Sequence, residues 1–171
     1  MTRLLAPVLS FTADEIWLAM AHDKGADGRN VCLNDMPQAD PAWTLTEEEE
    51  NRWAALLRIR ADVNKALELS RAEKRIGKPL DAKVTLFARD EAEKLLKGMD
   101  AEALPALFIV SEAEIVFGQG DGVPGENVPG LTVKVEPSTL PKCERCWTHS
   151  ASVGSDSDHP TLCARCAAAV R

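Results

Sequence analysis

Four of the five cysteines in this 171-residue chain stand in two pairs near its end. Cys143-Glu144-Arg145-Cys146 is followed, after sixteen residues, by Cys163-Ala164-Arg165-Cys166. Two cysteines with two residues between them lie on one tight turn and can grip the same ion. Two such turns supply the four thiolates of a tetrahedral structural zinc, with arms of roughly 2.3 Å. The spacing reads as a zinc site rather than a disulfide frame. The competing reading, redox-sensitive thiols or disulfides in a tail, is disfavoured because nothing else in the chain looks secreted. The expectation is therefore one structural Zn2+ on Cys143, Cys146, Cys163 and Cys166. A complete sulfur shell leaves no open position for water, so catalytic zinc is not expected. His149 and His159 are substitute ligands in principle, but with four cysteines at hand they read as groups beside the site. Cys32 stands alone and reads as a small buried hydrophobe.

Arg145 and Trp147 flank the second ligand at the rim of the knuckle. A planar guanidinium bridges phosphate or a base edge, and an exposed indole stacks on an unpaired base. Structural roles compete with both: Trp147 as a lid on the knuckle, Arg145 as a hydrogen-bond donor to a thiolate. A second basic feature runs from Arg58 to Lys78 through Arg60, Lys65, Arg71, Lys74 and Arg75, against Asp62, Glu68 and Glu73. The following stretch to Glu126 is acidic, and the net charge is −7. That balance argues against indiscriminate coating of nucleic acid, yet it leaves room for one local face that meets phosphate. A solvated helix face accounts for the charge run equally well.

The elements that must position these groups are legible in outline. With 45% hydrophobic and 27% charged residues, the chain can build a core of ordinary soluble type. No apolar run approaches the length of a membrane helix and no signal pattern opens the chain, so a reducing, cytoplasmic setting is expected. Arg3 to Leu9 is core-like with no polar lead-in, as if a larger protein were cut within a domain. Thr12-Ala13-Asp14-Glu15 reads as a capping box opening a helix that buries Ile16, Trp17 and Met20. Val31 to Leu33 reads as a short extended piece. Thr46-Glu47-Glu48-Glu49 opens the longest helix, with Trp53, Leu56, Leu57, Val63, Ala66 and Leu67 at helical spacing and a stop at Gly77 and Pro79. Arg71, Lys74, Arg75 and Lys78 then cluster at its basic end. Ala82, Val84 and Leu86 alternate as a strand. Short helices follow near Asp90 to Lys97 and Ala101 to Leu107, with further strands at Glu114 to Phe117 and Leu131 to Val135. The glycines from Gly118 to Gly125 lack the Lys-Ser/Thr and the helix of a phosphate cradle, so they read as a plain loop.

Three stretches carry a family resemblance. Leu4-Leu5-Ala6-Pro7-Val8-Leu9-Ser10-Phe11-Thr12-Ala13-Asp14-Glu15-Ile16-Trp17 resembles the late helices of the anticodon-binding bundle in class I aminoacyl-tRNA synthetases. Arg60 to Glu68, with Ile76-Gly77-Lys78, resembles the long helix that follows in bacterial isoleucyl-tRNA synthetases. Lys142 to Trp147, then Gly154 to Asp158 and His159 to Cys166, are similar to the zinc finger that ends those enzymes. The resemblance covers essentially the whole chain. It implies an α+β architecture in three parts: residues 1–79 from the helical anticodon-binding domain, 80–137 as a small α/β junction domain, and 138–171 as a four-cysteine zinc finger.

The implied role is the tRNA-binding C-terminal part of an isoleucine–tRNA ligase, meeting the anticodon stem-loop of isoleucine tRNA through Arg145, Trp147, Arg71, Lys74, Arg75 and Lys78. It implies no DNA or membrane partner, and a whole enzyme that is monomeric. The family's ATP-binding signatures, His-x-Gly-His and Lys-Met-Ser-Lys-Ser, do not occur in these 171 residues. ATP and Mg2+ would then belong to a catalytic part outside them, and this chain alone is expected to be inactive. A similar finger also ends the bacterial DNA glycosylases that excise oxidised purines. That alternative calls for a Pro-Glu N-terminus, where this chain has Met1-Thr2-Arg3.

Overall fold

The computed structural model describes residues 1–170. The chain forms two compact units, Met1–Thr46 and Glu47 onward.

In the first unit, helix α1 (Thr2–Leu5) and helix α2 (Ser10–Ala19) pack with a 3-10 turn at Val31–Leu33. The buried residues are few: Ala6, Ala13, Trp17 and Val31. Polar contacts complete the fit. The Trp17 indole Nε1 donates to the Asp27 carbonyl at 2.9 Å, and the Val31 amide donates to Asp14 Oδ1 at 2.8 Å. Several expectations fail here. The helix opens at Ser10, so Thr12 lies inside it and caps nothing; Ser10 Oγ instead donates to the Ala6 carbonyl at 2.8 Å. Ile16 and Met20 are exposed, because Ala13 and Trp17 are the positions of α2 that this small core covers. Val31–Leu33 is a 3-10 turn, its Cys32 amide held by Asn30 Oδ1, and Cys32 is exposed rather than buried. Of the apolar opening, only Ala6 is buried; Val8 and Phe11 are 81% and 94% exposed.

The second unit is built on helix α3 (Glu47–Ala72), 26 residues long and spanning about 39 Å. Its buried stripe is Ala55, Ile59, Asp62, Val63, Ala66, Leu67 and Ser70. Those steps of three and four residues define one helical face. Trp53 and Leu57 fall off that face and are half exposed. The helix stops five residues before Gly77. The Arg75 amide bonds back to the Ser70 carbonyl and the Lys74 amide to the Arg71 carbonyl, with Lys74 left-handed at φ 60°. This is a Schellman cap, with lysine where glycine is usual.

The stripe of α3 lies on a four-stranded sheet of order β2-β1-β4-β3. Strand β1 (Ala82–Ala88) runs parallel to β2 (Glu112–Phe117) and antiparallel to β4 (Leu131–Pro137), which also pairs with the short β3 (Val123–Pro124). Register sets Val84 opposite Val135, Leu86 opposite Val133 and Ala88 opposite Leu131. The period of two thus puts all six on one buried face with Ile59, Val63 and Leu67. Helices α4 (Asp90–Leu96) and α5 (Leu104–Phe108) connect β1 to β2 and add Leu96 and Phe108 to the core. The sequence places the long helix with the N-terminal segment; in the structure its apolar face packs with the sheet that follows. Beyond β4 come the two cysteine pairs and the closing helix α6 (Ala164–Val170).

Candidate metal centre and nucleic-acid interface

The first knuckle is a turn closed at both ends. The Trp147 amide donates to the Cys143 carbonyl at 2.9 Å, and the Cys143 amide donates to the Thr148 carbonyl at 3.0 Å. The second pair sits at the start of α6, and the Cys163 amide donates to the Cys143 sulfur at 3.3 Å. The four sulfurs lie within 4.8 Å of one another, and Cys146 Sγ stands 3.8 Å from Cys163 Sγ. A tetrahedron with zinc–sulfur arms of about 2.3 Å has edges of about 3.8 Å, so the donor set and its spacing both fit one zinc. Among the described residues this is the one cluster able to hold a metal; His149 and His159 are outside it.

Without an ion Cys146 and Cys163 do not ionise alike. Burial and the neighbouring sulfurs push Cys163 up to about 11, although the Cys166 amide works the other way. At Cys146, burial works against the thiolate but is outweighed by hydrogen bonds from Thr148 and from Cys143 and Cys166, leaving it at about 6. Metal binding must therefore expel at least the Cys163 proton at neutral pH. Apparent zinc affinity should rise with pH and fall as the medium is acidified below the range of Cys146, which competition against a chromogenic chelator across pH checks.

The finger is anchored on the sheet unit. The His149 amide donates to Ser111 Oγ at 2.7 Å, and Lys142 Nζ reaches Asp81 Oδ1 at 3.2 Å. Asp81 is the hub, since its Oδ2 also accepts the Lys78 amide at 2.9 Å. Partial burial opposes its charge, but the Lys78 amide and the Lys142 ammonium hold its carboxyl below the usual range. His149 Nδ1 contacts the Leu140 carbonyl at 2.7 Å and Nε2 lies 3.5 Å from Asp81, so this histidine serves docking rather than metal.

The flanking residues divide. Arg145 is exposed but sets its guanidinium 3.6 Å from the Cys166 sulfur, the contact that the structural reading calls for. Trp147 turns outward, 58% exposed, on a left-handed backbone at φ 65°. A bulky residue there costs roughly 1–2 kcal/mol, and it is held by the amide bond that closes the knuckle. The Lys78 ammonium lies over its ring, 5.5 Å from the centroid. Residues 69 positions apart in sequence thus share one surface. Arg71 is paired with Glu68 at 2.5 Å and Arg75 with Glu73 at 2.7 Å. Lys74 occupies the left-handed cap of α3. Elsewhere in the basic run, Arg60 donates to the Leu107 carbonyl, Arg58 pairs with Glu91, and Lys65 pairs with Glu126. These three brace α3 against its own unit.

Two groups escaped the sequence reading. Arg165 faces the cluster: its hydrogen bond to Cys146 holds the guanidinium above its ordinary range. Its place between the last two ligands was the available signal. Asp62 is 2% exposed and accepts the amides of Glu126, Asn127 and Val128. Its position three after Ile59 and four before Ala66 puts it on the buried stripe.

A helical unit followed by a sheet unit that carries a four-sulfur knuckle and an exposed, lysine-capped indole defines a zinc-finger protein of mixed α and β structure. Comparison with known proteins narrows the class. Residues 1–86, half the chain, match the anticodon-binding domain of tRNA ligase, and residues 141–169 match the zinc finger found in FPG and IleRS. The chain belongs to the family of anticodon-binding domains of tRNA ligases. It is similar to the isoleucine–tRNA ligase of Syntrophotalea carbinolica, 48% identical over 167 residues that make up 98% of this chain and 18% of that protein. It is 44% identical to the isoleucine–tRNA ligases of Geobacter sulfurreducens (all of this chain) and Shouchella clausii (99% of it), again over 18% of each relative. The chain thus spans 18% of the length of these curated relatives. No described helix is long and apolar enough to cross a membrane.

Proposed function

We propose that this chain is the tRNA-gripping C-terminal part of an isoleucine–tRNA ligase, the enzyme that joins isoleucine to its tRNA with ATP. In this reading Cys143, Cys146, Cys163 and Cys166 hold one structural zinc, and residues 1–79, 80–137 and 138–171 are its three functional segments. The partner is the anticodon stem-loop of isoleucine tRNA, in the cytoplasm, with neither DNA nor membrane bound. The whole enzyme acts as a monomer, and ATP and Mg2+ are used by its catalytic part. The observation that carries the reading is the Trp147–Lys78 pair: an exposed indole on a strained backbone, with a cation over its ring. Unpaired loop bases stack on such a surface. Lys74, Lys78 and the paired but exposed Arg71 and Arg75 supply positive charge for phosphate. Arg145, turned to Cys166, acts mainly by holding the knuckle that presents Trp147.

Trp147→Ala should weaken isoleucine tRNA binding by about 1–3 kcal/mol with little change in salt slope, measured in the whole ligase. Lys74→Ala should weaken many tRNAs alike and flatten the salt dependence by about one unit. Each variant needs a zinc assay alongside. If Trp147→Ala keeps both its zinc and its tRNA affinity, the stacking role is wrong. A second expectation concerns chemistry. The 171-residue chain, cleared of host ligase, should show no isoleucine-dependent ATP–pyrophosphate exchange, and robust exchange would overturn the division of labour proposed here.

A further inference from the structure

One ligand of the knuckle differs from the other three. Cys143, Cys163 and Cys166 are 0%, 5% and 1% exposed, whereas Cys146 is only partly covered. Cys146, with the more buried Cys163 behind it, opens on a cleft of 380 Å3 of mixed polar and apolar lining between the finger and the sheet unit. Thr148, Ser152 and Arg165 line it on the finger side, Ala106 and Ile109 on the other. The Cys163 sulfur stands 3.8 Å from that of Cys146. A thiolate with access to solvent, a cation beside it and a second sulfur in reach is the environment in which cysteines react with small oxidants.

We propose that Cys146 is an oxidative modification site, attacked by hydroperoxides through this cleft and resolved by Cys163, so that oxidation discharges the metal. The inference rests on the four-sulfur zinc reading given above. In the first step the Cys146 sulfur takes the terminal oxygen of hydrogen peroxide. The O–O bond breaks, an S–O bond forms, the sulfur loses two electrons, and hydroxide leaves beside the Arg165 guanidinium. In the second step the Cys163 thiolate attacks the Cys146 sulfenic acid. The S–S bond forms and a second hydroxide leaves. Two thiolates and one peroxide thus yield one disulfide and two hydroxides. Only Cys143 and Cys166 remain as donors, too few to retain a structural ion.

Cys32 supplies an internal reference, being an exposed thiol outside the cluster. The test treats the zinc-loaded chain with hydrogen peroxide, follows zinc release with a chromogenic chelator, and maps oxidised cysteines by peptide mass over time. The expected result is loss of one zinc per chain in step with a Cys146–Cys163 disulfide. Ala106→Phe, on the exposed side of the cleft, should slow that loss by about threefold relative to Cys32 oxidation, because access governs the attack. Zinc retained while Cys32 is consumed would overturn the proposal, as would first modification at Cys143 or Cys166, or an unchanged rate in Ala106→Phe. Zinc is counted before oxidant is added. A chain with none at the outset overturns the zinc reading instead, and the order of cysteine oxidation still decides which sulfur is attacked first.

Discussion

Cys163→Ser should remove the zinc and with it the order of the finger, while leaving the sheet unit folded. The finger's buried cluster is Cys143, Cys163 and Cys166, with Cys146, Val153 and Leu162 partly buried against it. The ligands are thus most of the core. A module of this size has too little apolar surface to fold on its own. Metal-binding free energy, roughly 10–16 kcal/mol in small zinc modules at neutral pH, becomes its folding free energy. Serine offers a poor ligand, and the other three thiols would be left protonated or reactive. The core of the sheet unit is made by α3, β1, β4, α4 and α5 and includes no finger residue, so its cooperative unfolding should survive. Elemental analysis should fall from one zinc per chain in the parent to far less in the variant. Limited proteolysis should then cut within residues 138–170 first. Undiminished zinc in the variant would sink the four-sulfur assignment. A finger that stays protease-resistant without metal would show that anchoring through Ser111 and Asp81 suffices.

The zinc knuckle was the most legible part of the chain because its chemistry is local: two turns, each encoded in four residues. Strand β1 and the sheet's buried face were legible for a similar reason, since alternation over Ala82, Val84 and Leu86 reports a half-buried strand directly. The ends of helices were less so. The stop is expected at Gly77 and Pro79, yet the chain already turns at Lys74, which takes the left-handed cap that glycine usually fills. Thr12 has the spacing of a capping box, but the helix is already under way at Ser10, with Leu9 as its N-cap and no side chain capping it. In the first unit the apolar pattern overstates burial, because four buried side chains cannot cover Val8, Phe11 and Ile16. The pairing of Lys78 with Trp147 was beyond the sequence altogether. It depends on how the finger docks through Asp81, a contact between segments some sixty residues apart.

Asp62→Ala should destabilise the second unit by roughly 1–3 kcal/mol, the cost of leaving a buried group without its hydrogen-bond partner. Its carboxylate is buried midway along α3, where a charge would be costly if unpartnered. Four donors satisfy it. The amides of Glu126, Asn127 and Val128 lie at 2.9, 3.0 and 3.1 Å, and the Asn127 side-chain Nδ2 at 2.7 Å. The turn is shaped to this contact: a Cβ on Gly125 would stand 2.7 Å from Asp62 Oδ2. The Gly125 amide in turn bonds the Leu131 carbonyl at 2.8 Å and leads the chain into β4. One side chain therefore sets the register between the long helix and the strand beside it. Alanine would leave the buried Val128 amide without an acceptor and hand the amides of the exposed Glu126 and Asn127 to water, so the turn loses its anchor. Asp62→Asn is the sharper variant, because it keeps the shape while turning one acceptor into a donor that faces donors. Both should lower the urea midpoint with little change in slope, since the surface exposed on unfolding is the same. The asparagine variant should fall nearly as far as alanine if acceptance of hydrogen bonds is the role. A loss within about 0.5 kcal/mol for either, the usual range for surface changes, would mean that the carboxylate does not hold this turn.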